Sequence, residues 1–394
     1  MGGPLEKTKA RSRFAGQIMG LGLIGFIRAL FLALTRRRLT LRRIGFYWLF
    51  LPVFSFLFLI VWAGQLVDSL FFPGYRNQPV SSPLFIIATP RSGTTLLHRA
   101  LCLDKNQFSY FRTYQTLLPS VSLYKFTQSI SRLDQRLSNP VARTMHWVSD
   151  RLFKGWKHIH PTGLMQAEED EGLFIYSFFT PAVYMLFPVI NRLPLFRFCD
   201  DLPPRKRTRL MAYYKGCLQR FLFSYGQDRA LLSKNVLSIG RLRSLLETFP
   251  DARLIYIVRH PYQAIPSLLN LFYVVWRSHS PEILKDSNET RALAQMSFDY
   301  YRYLTQATHQ IPAKQAIFIP YEELVSNLPG VVERIYAHFD LTLEEDFRSR
   351  LAQLAASMED YKSAHKYSLE EFGLNEDMIW SALSDVFEDY GFSR

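Results

Sequence analysis

The chain has 394 residues, of which 48% are hydrophobic and 15% aromatic, so it can bury the core of one large domain with an appendage, or of two domains. Its formal net charge of +13 is concentrated in residues 1–43, where ten Lys or Arg face one acidic residue, which argues against a nucleic-acid-binding surface on the main body. The three cysteines, Cys102, Cys199 and Cys217, have no CxxC spacing, which disfavours a disulfide framework or zinc site and favours buried free thiols.

Two apolar segments near the N-terminus predict attachment to a membrane. Residues 44–67 carry no charge and are long enough for a bilayer-spanning helix that Pro52 would kink, with a buried core helix as the alternative. The weaker run 14–35, interrupted by Arg28, suits an interfacial amphipathic helix. The basic cluster between them, residues 36–43, is typical of the cytoplasmic side and of contact with anionic lipid headgroups.

The side of the membrane on which the main body lies stays open. If residues 44–67 span the bilayer, the body lies opposite the basic cluster, as in a type II enzyme of a secretory lumen. If they only dip in or lie flat, the body stays on the cytoplasmic face, for example of a bacterial inner membrane. The sequon at Asn288 would accept a glycan only in a lumen, and chance occurrence explains it better.

After a turn-rich linker, residues 71–83, strand patterns alternate with helical ones. This predicts an α/β fold, P-loop-like and three-layered, in which helices flank a central parallel sheet. The predicted division is a membrane-associated segment and linker over residues 1–80 and a catalytic domain over residues 81–394. Ligands in such folds bind beyond the carboxyl ends of the strands. Polar clusters follow the apolar runs at three such places, residues 91–95, 234–235 and 259–261.

The turn after the first strand, residues 89–95, has the composition of an anion site. Gly93 lets the backbone approach an anion closely, and the following helix N-terminus favours negative charge. Thr94 and Thr95 add hydroxyl donors, and Arg91 adds a fixed cationic fork. The turn is not a Walker A loop because no Gly-Lys-Ser/Thr ends it; an ordinary strand–helix turn is the alternative.

A second cationic group follows the strand-like run "RLIYIV". Arg259 ends this run and Ser267 lies in the next helical pattern, so both could reach one phosphate group. A structural ion pair is the alternative role for Arg259.

These motifs resemble those of a known family. "TPRSGTTLLHRAL" resembles the 5′-phosphosulfate loop of the sulfotransferases, and "VRHPYQAIPS" is similar to their 3′-phosphate-binding segment. The resemblance covers about residues 83–392 and is greatest for the bacterial-type branch, near the carbohydrate and tyrosylprotein enzymes. It implies 3′-phosphoadenosine-5′-phosphosulfate (PAPS) as donor and no metal. It also implies that the 5′-phosphosulfate is bound by Arg91, Ser92, Gly93, Thr94 and Thr95, the 3′-phosphate by Arg259 and Ser267, and the bridging oxygen by Lys234.

The acceptor hydroxyl needs a general base. The run 168–171, "EEDE", resembles an acidic signature of the bacterial-type branch, and Glu168 or Glu169 is the predicted base. His158 and His160 are the alternatives, since cytosolic members use a His after a Lys. Gln115 stands where tyrosylprotein enzymes place a Glu, and an amide cannot take a proton. A solvated helix start is the plain alternative for the acidic run.

The acceptor itself is not specified by these motifs. The aromatic run 172–190 could form an acceptor channel, a second membrane contact or simply core, and the basic run 203–209 could contact anionic headgroups or an acidic acceptor, or only solvent. The sequence therefore predicts a membrane-attached sulfotransferase acting on a hydroxyl or amine of a lipid or glycan, with the acceptor pocket built from residues 108–225. The alternatives are a nucleotide-dependent kinase and a non-catalytic, membrane-tethered nucleotide-binding protein.

Overall fold

The computed structural model describes residues 22–35, 39–153, 163–226, 228–357 and 368–394. Five strands in this part of the chain form one parallel sheet with the order β2-β3-β1-β4-β5. They are β1 Leu84–Ala88, β2 Phe108–Tyr110, β3 Ala230–Lys234, β4 Arg253–Val258 and β5 Ala316–Pro320. The predicted α/β fold with a central parallel sheet is confirmed. The sequence analysis missed β2, because three residues at a sheet edge are too short to show a strand period.

Helices connect and cover the strands. The α-helices are α1 Gly22–Thr35, α2 Leu41–Phe71, α3 Thr94–Leu101, α4 Thr113–Leu117, α5 Val121–Arg136, α6 Pro140–Phe153, α7 Glu171–Ile175, α8 Val183–Leu186, α9 Pro204–Tyr225, α10 Leu242–Thr248, α11 Pro261–His279, α12 Asn288–Thr308, α13 Tyr321–Ser326, α14 Leu328–His338, α15 Glu345–Ala356 and α16 Glu376–Tyr390. Short 3-10 helices are Pro73–Asn77, Pro194–Phe196, Val236–Arg241 and Glu370–Phe372.

The central strand β1 is buried on both faces, as its unbroken apolar sequence requires. Phe85 and Ile87 join a core that includes side chains of α9, α10, α11, α12 and α16. Leu84 and Ile86 face the other way, into a core shared with α3, α14 and α15. The sheet is therefore the middle of three layers.

The register of the sheet places three chain segments at one edge. Ile86 of β1 pairs with Lys234, the last residue of β3, and Ala88 pairs with Ile257 near the end of β4. The turn that follows β1, the end of β3 and the residue after β4, Arg259, therefore meet at the carboxyl edge, where ligands of such sheets bind.

The N-terminal helices pack on the main body. Helix α2 contains the predicted residues 44–67, has the length and composition of a membrane-crossing helix, and continues through Pro52. It buries one stripe, including Tyr47 and Phe54, while its other sides are exposed. Phe26 of α1 stacks on Phe54 with 5.7 Å between ring centroids, and both belong to the main core. The weaker predicted run, 14–35, lies within the described residues from Gly22 onwards and forms α1 there. The proposed boundary at residue 80 stays a prediction.

Of the remaining segments singled out from the sequence, the cysteines and the aromatic run are buried and the basic run is exposed. The three cysteines are free and buried. Residues 172–190 form α7, α8 and their loops, and Phe174, Phe178 and Phe187 are buried in the main core, which favours the packing role for this run. The basic run 203–209 opens α9 and is mostly exposed.

Candidate active site

The turn between β1 and α3 forms a cradle of backbone and hydroxyl donors. Arg91 and Gly93 adopt left-handed backbone conformations, with φ of 70° and 76°. At Gly93 a Cβ would also approach the Tyr321 ring to 3.1 Å, so this position needs glycine for both reasons. The Ser92 and Thr89 hydroxyls lie 2.8 Å apart and brace the turn from within. The first N–H groups of α3 have no intrahelical acceptor, so the turn ends at a helix N-terminus that favours negative charge.

Two arginines meet over this turn. Arg91 Nε donates a hydrogen bond to Ser267 Oγ at 3.2 Å, and Arg259 Nη1 donates to the Arg91 carbonyl oxygen at 3.0 Å. The guanidinium of Arg259 lies 4.2 Å from the centroid of the Tyr321 ring, a cation–π contact that fixes its plane. The two segments that the sequence analysis assigned to different phosphate groups are thus in contact. The hydrogen bond from Arg259 to the Arg91 carbonyl oxygen also holds Arg91 in its left-handed backbone conformation, a conformation that costs roughly 1–3 kcal/mol.

Lys234 is the link between the turn and the acidic run. It is 1% exposed, and its Nζ lies 3.3 Å from Thr95 Oγ1 and 3.2 Å from the nearer carboxylate oxygens of Glu168 and Glu169. Burial lowers the pKa of Lys234, but the charges of Glu169 and Glu168 outweigh burial and raise the pKa overall. The ammonium group therefore stays protonated beside the cradle.

The second half of the acidic run is fixed in the interior. Asp170 Oδ2 accepts a hydrogen bond from Ser233 Oγ at 2.7 Å and another from the Tyr214 hydroxyl, while Oδ1 accepts from Asn235 Nδ2 at 2.8 Å. Burial raises the pKa of Asp170, and these hydrogen bonds oppose the shift. Asp170 thus ties the acidic run to both residues that flank Lys234.

Glu171 anchors the run from the other side. It accepts from Arg241 Nη2 at 2.9 Å and from Asn235 Nδ2 at 2.7 Å. Arg241 also lies 3.7 Å from the centroid of the Phe174 ring. The acidic run is therefore not a solvated helix start: its last two carboxylates are buried and paired, and its first two, 15% and 21% exposed, face Lys234.

Three other predicted positions have different outcomes. Gln115 Oε1 accepts the Arg112 backbone N–H at 2.7 Å, so this buried amide caps the start of α4. His158 and His160, the alternative bases, lie outside the described residues. The roles given to Glu168 and Glu169 stay predictions, although both lie at the site.

Sequence reasoning placed Asn235 in a strand-end cluster with Lys234 but gave it no role, and it missed two further residues at the site. Asn235 bridges Asp170 and Glu171. Tyr321 follows β5 at the same sheet edge as the other clusters, which a strict strand-end rule would have found. His98 lies one helical turn after Thr94, so it faces the same side of α3, and it is 1% exposed.

Comparisons with known proteins agree with this geometry. A sequence model described as "Sulfotransferase family" matches residues 83–345. The omega-hydroxy-beta-dihydromenaquinone-9 sulfotransferase Stf3 of Mycobacterium bovis is 26% identical over 315 residues, which cover 79% of this chain and 76% of the relative, and the protein of that name from Mycobacterium tuberculosis gives the same values. Among solved structures, sulfotransferase STF9 from Mycobacterium avium superposes with a TM-score of 0.68 at 21% identity, covering 85% of this chain and 82% of that one. For sulfotransferase STF1 from Mycobacterium tuberculosis the TM-score is 0.60 at 18% identity, with 82% and 81% covered.

The buried imidazole of His98 leads to a prediction about acid stability. Burial, helped by the charge of Lys234, lowers the pKa of His98 from 6.5 to about 3, and neither ring nitrogen has a hydrogen-bond partner in the described part of the chain. Below about pH 6.5 the His98 imidazole of the unfolded chain therefore binds a proton, whereas that of the folded chain stays neutral. The free energy of unfolding should therefore fall with decreasing pH, by up to roughly 1.4 kcal/mol per pH unit between about 6.5 and 3.

Denaturant unfolding of wild type and His98→Leu between pH 7 and 5 would measure this slope. The slope of His98→Leu should be smaller than that of wild type by about the contribution of one proton. Equal slopes for wild type and His98→Leu would contradict the assignment of a neutral buried imidazole.

Proposed function

Since the chain belongs to the sulfotransferase family, whose sequence model matches residues 83–345, we propose that it transfers a sulfuryl group from PAPS to a hydroxyl group of a lipid acceptor. Family membership sets aside the kinase and the non-catalytic alternatives. The observation that carries the donor assignment is the convergence of Arg91, Arg259 and Lys234 on one turn at the sheet edge. Because three cations meet a helix N-terminus there, a ligand with several anionic groups fits best.

In the proposed donor complex the turn residues 91–95 hold the 5′-phosphosulfate. Arg259 and Ser267 hold the 3′-phosphate, and the contact of Arg259 with the Arg91 carbonyl sets the spacing between the two anionic groups. Tyr321 keeps the Arg259 guanidinium in plane for bidentate contact. A nucleotide without a 3′-phosphate would leave Arg259 without its ligand.

The proposed transfer is an in-line displacement at sulfur. The acceptor oxygen attacks the sulfur atom, and its proton passes to Glu168 or Glu169. The bond from sulfur to the 5′-phosphate oxygen breaks, and its electron pair stays on that oxygen, which leaves 3′-phosphoadenosine-5′-phosphate (PAP). Lys234, with Arg91, stabilises the negative charge that develops on the departing oxygen, as cations do in phosphoryl transfer.

Lys234 also couples donor binding to the base. Its ammonium group contacts both carboxylates and the Thr95 hydroxyl. When the ammonium group donates its hydrogen bonds to the donor's sulfate, its contact with the carboxylates weakens. The affinity of the carboxylates for a proton then rises. The base is thus strengthened only when a donor is in place, which fits a reaction that should not begin without PAPS.

The acceptor is proposed from the path that leads away from the carboxylates. Tyr176 and Phe178, just after Glu171, lie beside Phe54 and Phe58 of α2, with ring centroids 6.4 Å and 5.2 Å apart. The middle of α2 therefore contacts a segment that follows the acidic run within a few residues of sequence. The names of the curated relatives specify an omega-hydroxy dihydromenaquinone. A hydroxyl-bearing isoprenoid lipid suits this chain for the same reason, since its tail can stay beside α1 and α2.

Donor specificity is tested by calorimetric titration with PAP and with its 3′-dephospho analogue. Wild type should bind PAP far more tightly than the analogue. Arg259→Ala should weaken PAP binding by about 1.5–3 kcal/mol more than it weakens binding of the analogue, which has no 3′-phosphate but still binds at the turn that Arg259 holds. The control Arg277→Ala, which removes one positive charge at the far end of α11, should bind PAP like wild type. Equal affinity of wild type for PAP and its analogue would contradict the donor assignment.

The base is identified by comparing Glu168→Gln with Glu169→Gln. The variant that removes the base should lower kcat by roughly 10²–10⁴-fold and lose the acidic limb of the pH–rate profile, with PAP affinity not reduced. The other variant should lose less, because it only weakens the hold on Lys234. The rate of labelled sulfuryl transfer from PAPS to an omega-hydroxylated prenyl quinone in micelles measures this, with Glu333→Gln as the surface control. Retention of near-normal kcat by both variants would rule out the acidic run.

A further inference from the structure

Helix α2 is fixed to the main body at both of its ends. Near its start, the fully buried Arg43 pairs with Glu282 and donates from Nε to Ser280 Oγ at 3.1 Å. Near its end, the fully buried Asp68 accepts the Val121 backbone N–H at 2.8 Å and Arg220 Nε at 3.0 Å. Each buried charge is thus matched by partners that belong to the body.

The helix also contacts the body along the length between these two anchors. Tyr47 Oη donates to the Leu186 carbonyl oxygen at 3.1 Å, and Phe54 packs on Phe178 with ring centroids 5.8 Å apart. At Gly64 the approach to α5 is so close that a Cβ would lie 2.7 Å from Ser120 Oγ. One side of α2 is therefore covered by protein from end to end.

The two anchors are so far apart that, in a spanning helix, the main body would have to bind α2 on both sides of the bilayer. Arg43 and Asp68 are 25 residues apart, which is about 37 Å along an α-helix, more than the roughly 30 Å hydrocarbon core of a bilayer. A spanning α2 would carry the body, with its buried ion pairs and the polar surface around them, through the hydrocarbon. A helix lying in the plane of the interface keeps the body in water.

The outward surface of α2 continues over its neighbours. Of the 25 exposed large hydrophobic side chains in the described part of the chain, 21 lie between residues 24 and 147, on or beside α1, α2, α5 and α6. We call the outward side of these four helices the apolar face; its largest side chains include Phe31, Trp48, Phe56, Trp62, Phe126 and Trp147. A soluble monomer rarely exposes an apolar area of this extent without a partner.

The charges on the same four helices indicate what that partner is. Apart from His146, their exposed ionisable side chains are seven Lys or Arg residues and one acidic residue, Asp150. The basic ones are Arg28, Arg42, Lys125, Arg132, Arg136, Arg143 and Arg151. Tryptophan side chains surrounded by Lys and Arg are typical of helices that lie in the headgroup region of an anionic membrane.

We propose that the apolar face binds an anionic lipid bilayer in the plane of its interface, so that α2 does not cross the membrane. The main body and the described end of the basic cluster, residues 39–43, then lie on the same side of the membrane. This excludes the type II arrangement for the body and gives the sequon at Asn288 no lumenal exposure. The proposal rests on the packing of α2 and on the surface, and it is independent of the donor and the reaction.

Flotation of the full chain with lipid vesicles tests the binding. The chain should float with vesicles of phosphatidylcholine and phosphatidylglycerol and less with phosphatidylcholine alone. Phe56→Glu/Trp62→Glu should reduce the floated fraction about tenfold or more, since it places two charges in the apolar face. The control Val325→Glu/Met378→Glu changes two exposed apolar side chains elsewhere on the body and should float like wild type.

Two results would overturn the binding. The first is an equal floated fraction for the two double variants. The second is a chain that stays in solution with both vesicle types and elutes as a dimer that Phe56→Glu/Trp62→Glu dissociates, which would make the face a protein interface. Unchanged far-ultraviolet circular dichroism verifies that the variants are folded.

Depth measurements separate a flat helix from a spanning one. A fluorophore would be attached at Leu41→Cys, Phe56→Cys or Leu70→Cys, three outward positions, and quenched by lipids that carry the quencher at shallow or deep chain positions. The native cysteines are buried, and burial raises the pKa of Cys199 and of Cys217 to about 11, so they do not compete at neutral pH. All three labels should report the same shallow depth. A deep label at residue 56 between two shallow ones would overturn the in-plane arrangement.

Discussion

The ammonium group of Lys234 lies in the interior of the protein, between a turn that favours anions and two carboxylates. The pairing of β3 with β1 brings it there, because Lys234 stands opposite Ile86 and so reaches the turn that follows β1. Burial alone would favour loss of its proton, but Glu168 and Glu169 keep it charged. The site therefore holds a cation that is paired with two carboxylates before any ligand is present. A donor anion can replace these carboxylates as its partner.

The acidic run makes this arrangement rigid. Asp170 and Glu171 are held by residues of β3, by Asn235 and by Arg241, so the two preceding glutamates have little freedom to turn away from Lys234. A run of four acidic residues thus divides into a structural half and a half that faces the site. The same segment then enters the main core beside α1 and α2, which brings the carboxylates close to the surface where a lipid could be presented.

The parts of the site that the sequence predicted are those that follow from local pattern and from the geometry of parallel sheets. The turn at Gly93, Lys234 and Arg259 each follow an apolar run, and strands in parallel bring such positions together. The division of the acidic run could not be predicted, because it depends on Tyr214, Ser233 and Arg241, which only the tertiary fold brings near. The same holds for α2, whose composition indicates a membrane helix, whereas its packing on the body through Arg43 and Asp68 is a property of distant partners.

The central claim is that Lys234 is shared between the carboxylates and the donor, and the affinity for PAP tests it most directly. In Glu168→Gln/Glu169→Gln the ammonium group loses its carboxylate partners, so at a pH low enough for Lys234 to stay protonated PAP should bind more tightly, by about 1 kcal/mol or roughly fivefold in Kd. In a Lys234→Met background the same two substitutions should give much less gain, because no shared cation remains. Unchanged or weaker binding of PAP without the carboxylates, or an equal gain with and without Lys234, would contradict the account.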